Sequence, residues 1–173
     1  MLYLQATRKA IVALGLDPNG LGPADDESLP IDNWVVNLID AGKRQAYLFM
    51  NCRTLLSFPI MIGEKVPGPE DMPSFLSHGI NQLAAWLRLS AESTKILNRG
   101  SDRIALCRNE DKSTLGLIRS LGTDYQFRTK PGDEFDSARL GEIIIAVNST
   151  PRAKLAYKTS VETTREVLSA SAA

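Results

Sequence analysis

A length of 173 residues fits one domain, with enough chain to bury a core without disulfide or metal staples. Apolar content of 43% and charged content of 23% exclude general disorder, and twenty basic against twenty acidic residues exclude a whole-molecule field that would attract nucleic acid or an anionic membrane. Two cysteines and one histidine are too few for a structural zinc site, and no apolar run approaches the ~20 residues that span a bilayer.

The first element is a short strand over residues 2–7, after which Thr7 is placed to cap a helix from Arg8 to Leu16 with Ala10, Ile11 and Leu14 on its apolar face. Residues 17–30 are dense in glycine and proline and carry the acids Asp25, Asp26 and Glu27, so they read as a solvated loop. Gly20 and Gly22 have no third glycine and no lysine behind them, which does not support a phosphate-cradling loop.

Three strands then follow in immediate succession: Trp34–Asp40, Gln45–Met50 and Leu55–Ile62, joined by turns at Ala41-Gly42 and Asn51–Thr54. This is an antiparallel meander, and it argues against a doubly wound parallel fold. Pro59 lacks a ladder donor, so the third strand is expected at a sheet edge or at a bulge.

Past the prolines at 67, 69 and 73, a helix from about Met72 presents Phe75, Leu76, Ile80, Leu83, Ala84 and Leu87 as one buried stripe. A helix over 91–98, a strand at Ile104–Cys107 and a short helix from Ser113 ending at Gly122 come next, with Asp124–Arg128 read as strand or extended chain. The last third is helical, first around Ala138–Val147 and then from Ser160 to Leu168, with residues 169–173 a frayed tail. The expected architecture is a single α+β domain over residues 1–168. Its antiparallel sheet has four or five strands, and its helices cover one face. Trp34, Tyr47, Phe49, Leu56 and Phe58 supply much of the core.

Residues able to carry chemistry are sparse, and no catalytic residue, metal ligand or cofactor is assigned. His78 is the sole histidine and lies on an amphipathic helix, while Ser77 beside it projects about 100° away and cannot act as its paired nucleophile. Cys52 sits beside Arg53, an electropositive setting of the kind that lowers a thiol pKa, but no second histidine is present to serve it as base. Both thiols are expected reduced in a cytoplasmic protein.

The turn and capping types Thr7, Lys9, Asn37, Asn51, Thr54, Ser57, Ser113 and Asp124 either satisfy buried backbone or converge into a small polar pocket beside the meander. Basic residues collect in the second half, at Arg99, Arg103, Arg108, Arg119, Arg128 and Lys130. Interleaved acids and few aromatics favour solvated faces over a phosphate-binding surface.

The pattern Trp34…Asn37…Tyr47…Asn51-x-x-Thr54-Leu55-x-Ser57-Phe58 resembles an uncharacterised bacterial and phage-borne family of domains of unknown function. The likeness continues in Ala6-Thr7-Arg8-Lys9, Ser113-x-Leu115-Gly116, Asp124-Tyr125 and Asn148-x-x-Pro151…Tyr157. It implies a small cytoplasmic domain with no established activity. The stretch from Asn148 to Thr159 also resembles the tail of some insertion-element transposases, without their spaced catalytic carboxylates, and is read as a shared turn over which Tyr157 packs. The leading expectation is a non-enzymatic protein-interaction module of a mobile-element, defence or counter-defence system, offering a strand edge near Pro59 to a protein partner. The alternatives are a nucleic-acid binder using the second-half arginines, and a small-ligand-binding domain or enzyme with a polar pocket near the meander.

Overall fold

A computed structural model describes residues 2–24, 30–132, 134 and 136–172; the acids Asp25, Asp26 and Glu27 lie outside the described residues. Five strands, β1 (Leu2–Ala6), β2 (Asn33–Ala41), β3 (Arg44–Asn51), β4 (Ser57–Met61) and β5 (Ile104–Arg108), form one sheet in the order β4-β3-β2-β1-β5. The expected meander is present, with Val36 opposite Phe49 and Phe49 opposite Phe58. The wholly antiparallel sheet is not. β1 runs parallel to β2 on one side and to β5 on the other. A helix, α1 (Arg8–Ala13), returns the chain from β1 to β2, and only such a crossover lets successive strands run the same way. The pairing of β5 with β1 joins segments about a hundred positions apart, which no local pattern encodes.

Five further helices follow: α2 (Met72–Trp86), α3 (Ala91–Leu97), α4 (Lys112–Thr129), α5 (Ser137–Asn148) and α6 (Ser160–Ala172). They cover both faces of the sheet, not one. α2 lies on the face formed by Phe49 and Phe58, so close that a Cβ on Gly79 would collide with the Phe58 ring. α4 lies on the opposite face, where a Cβ on Gly122 would meet Ile39 at 3.1 Å. Side chains alternate along a strand, so a strand buried on both faces reads as a continuous apolar run. β2 is such a strand, buried from Trp34 to Ile39.

Four local expectations are corrected. Gly122 does not end a helix, and residues 124–128 are not extended: α4 continues to Thr129, because the missing side chain lets the helix approach the sheet and offsets the weak helix propensity of glycine. Tyr125 is thereby carried into full burial. Tyr157 does not pack over its turn but stands 76% exposed at φ 63°. The terminal helix runs past Leu168 to Ala172. The third strand begins only at Ser57, since Leu55 turns the chain at φ 56°.

The core holds Trp34, Tyr47, Phe49, Leu56 and Phe58, each at most 1% exposed, as the sequence indicates. The Phe49 and Phe58 rings stack with centroids 5.2 Å apart, and Trp34 tilts against Phe58 at 5.9 Å. No helix among the described residues is long and apolar enough to cross a membrane.

Candidate functional site

Pro59 does lie on an edge strand, but α5 covers that edge at Ser57. Backbone bonds from Leu56 and Ile62 to β3 set an alternation in which Ser57, Pro59 and Met61 turn their backbone outward. Asn148 of α5 takes the backbone of Ser57 with both ends of its carboxamide. Its Oδ1 accepts from the Ser57 N–H at 2.9 Å and its Nδ2 donates to the Ser57 carbonyl at 2.8 Å. Tyr125 Oη donates to the same carbonyl at 3.1 Å and lies 3.0 Å from Ser57 Oγ. Pro59 has no N–H to leave unpaired.

Most of the polar residues singled out in the sequence are also absorbed into structure. Asn51 Oδ1 accepts from the N–H groups of Arg53 and Thr54, and its Nδ2 donates to the Ile31 carbonyl at 2.9 Å. Thr54 Oγ1 accepts from the Leu56 N–H, so this pair ties the turn between β3 and β4. Asp124 clamps α4 to the turn after α5, pairing with Arg128 at 2.9 Å and Arg152 at 2.8 Å. Ser113 is exposed in the first turn of α4, where Asp111 supplies the cap.

The basic residues of the second half do not form one surface. Arg103 and Arg108 stand at opposite ends of β5; Arg108 pairs with Glu110, and Arg99 lies 3.8 Å from Asp32. Arg128 is held by Asp124, Lys130 closes α4 at φ 50°, and Arg119 projects from the middle of α4.

Thr7, Lys9, Asn37 and Arg119 do converge. β1 ends opposite Val36, and the Thr7 N–H to Val36 carbonyl bond at 3.0 Å is the last across that pair. The remainder of β2 overhangs without a strand neighbour on this side, at the carboxyl end of the parallel strands where crevices form in open sheets. There α1 and α4 flank a cavity of about 470 Å³. Thr7 Oγ1 accepts from the Ala10 N–H, capping α1, and donates its proton to Asn37 Oδ1 at 2.7 Å. That bond fixes the Asn37 amide, and no described residue accepts from its NH2 group. Asn109 Nδ2 is buried at the same cavity without a partner. Arg8, Lys9 and Arg119 line it too; none is ion-paired among the described residues, and no described carboxylate lines it.

Arg8, Asn109 and Gln126 at this cavity escaped the sequence reading. Arg8 was visible in the quoted Ala6–Lys9 motif; for the other two, no local signal marks a position beyond the end of β1.

The remaining candidates lie outside that cavity. Burial pushes the Cys52 thiol up to about 12, with a lesser contribution from Asp111, so burial overrides the neighbouring Arg53 and reverses the expected direction. Burial likewise raises Cys107 to about 11, and both are free thiols. His78 is exposed on α2. Among the described residues no group of three or more His, Cys, Asp or Glu side chains is placed to hold a metal ion.

The family model described as "Domain of unknown function (DUF6933)" matches residues 3–163, and the chain belongs to that family. No curated protein and no solved structure matches it.

Proposed function

Starting from that membership, we propose that the domain binds a small anionic ligand in the groove beside the overhang of β2. The observation that supports this reading is the convergence of three cations, none ion-paired among the described residues, with the buried, unpartnered Asn109 amide and the spare NH2 of Asn37 in a cavity that no described carboxylate lines. Cations concentrated without counter-ions repel one another, and donors buried without acceptors cost free energy, unless a ligand supplies both. Arg8 and Arg119 would meet the anion through planar forks, and Lys9 as a point charge. Asn37 would donate from the NH2 that its bond to Thr7 leaves over. The free thiols Cys52 and Cys107 are in keeping with a cytoplasmic setting.

This is a form of the pocket alternative raised by the sequence, and we place it ahead of the interaction module because α5 takes up the outward backbone of Ser57 beside the edge argued for that module. Thermal unfolding with a panel of small carboxylates and phosphate esters tests it. A ligand at a hundred times its Kd stabilises by about 2.7 kcal/mol, a rise of several degrees in Tm for a chain of this size. Arg119→Ala should remove that rise. If no anion shifts Tm, or if the shift survives Arg119→Ala, the reading is wrong.

A further inference from the structure

The polar cavity does not end at α4. A second cavity of about 720 Å³ adjoins it on the other side of the sheet, and Arg8, Lys9, Leu38 and Arg119 line both. α1 is too short to cover this part of the sheet, and Val12 on α1 and Val66 after β4 stand 61% and 63% exposed at the cavity's rim. Tyr47 of β3 forms part of the wall. Its side chain is fully buried, yet its hydroxyl has no hydrogen-bond partner. Nearly all buried hydroxyls in folded proteins are bonded, so an orphan at a cavity wall points to an acceptor that arrives with a ligand.

We infer that the ligand is an amphiphilic anion, with its charged group held by Arg8, Lys9, Arg119 and the Tyr47 hydroxyl and its apolar body lying against Val12, Ala13, Leu38 and Val66. This inference rests on the anion-binding reading above and specifies what the anion carries. The cavity has the volume of a small-molecule site, for which ~300–1,000 Å³ is usual. Its apolar wall meets the cations at the shared residues, so one molecule with a charged end and an apolar body satisfies both. No described carboxylate lines either cavity to oppose a negative group. Burial raises the pKa of Tyr47, so its hydroxyl keeps its proton and acts as a donor to the bound molecule.

Isothermal titration with octanoate, acetate, inorganic phosphate and octan-1-ol separates the possibilities. Octanoate should bind at least tenfold tighter than acetate, since each buried methylene is worth about fourfold in affinity. Tyr47→Phe should weaken octanoate about three- to tenfold while the protein stays folded. Val66→Asp, at an exposed position that the fold tolerates, should weaken it at least tenfold by placing a like charge at the rim. Acetate or phosphate binding as tightly as octanoate, with Tyr47→Phe and Val66→Asp unchanged, would overturn this inference and leave the anion site standing. Octan-1-ol binding as tightly as octanoate, or no binding of any probe, would remove both.

Discussion

The two ends of the meander are built from the same residue types and treat them oppositely. At the β4 edge, Asn148, Tyr125 and Ser57 partner one another until the outward backbone of Ser57 is fully used. At the overhang of β2, Asn109 and Tyr47 leave an amide and a hydroxyl buried without an acceptor, and the Asn37 NH2 has none among the described residues, beside three cations that no described carboxylate pairs. The difference follows from what packs there. α5 carries its asparagine onto the β4 edge, whereas β1 stops at Ala6, opposite Val36, and no strand continues alongside β2 on that side. Polar residues in a fold are therefore better sorted by whether they are satisfied than by which residues they are.

A large effect is expected on Cys52, in the turn between β3 and β4. A thiol pushed to about 12 from an ordinary 9.0 has roughly a thousandfold less thiolate at pH 8. Iodoacetamide labelling of the native protein should be slower than that of a free cysteine by about fiftyfold or more, since the greater nucleophilicity of a basic thiolate offsets part of the lost thiolate. Labelling at the free rate would mean that Cys52 is not buried in this way. Next, Asn148→Ala should cost about 2–4 kcal/mol in urea unfolding, because it strips the buried Ser57 N–H of its acceptor and leaves a gap at the edge. A loss below about 0.5 kcal/mol would mean the edge is not sealed in this way.

Tyr125→Phe should cost about 1–2 kcal/mol, since its hydroxyl serves both the carbonyl and the side chain of Ser57. Tyr47→Phe sharpens the contrast because it deletes the same atom at the open end. With no partner to lose, the unliganded protein should change by less than about 0.5 kcal/mol, or gain slightly. Equal losses for the two tyrosines would erase the distinction between the ends.

Much of the chain was legible locally. Thr7 caps α1 as its place before the helix indicates, and the meander turns fall where glycine and asparagine place them. Gly122 misled because glycine signals a helix end by conformation and a close helix–sheet contact by volume, and the sequence does not say which applies. The candidate site was half legible. Thr7, Lys9, Asn37 and Arg119 were singled out, but in two separate lists, and Tyr47 was read only as core.

By itself the sequence determined the residues whose effect is local: the caps, the turns, the apolar runs of β2 and β3, and the aromatic core they imply. Hydrogen-bonding types and periodicity act within a few residues, so they survive in the linear pattern. Only the tertiary structure decided that β1 enters the sheet parallel, that helices cover both faces, that α5 closes the β4 edge, and that Arg8, Arg119 and Tyr47 meet at one groove. Each of these joins segments tens of residues apart, and the energy that selects them is burial and polar satisfaction summed over the whole fold.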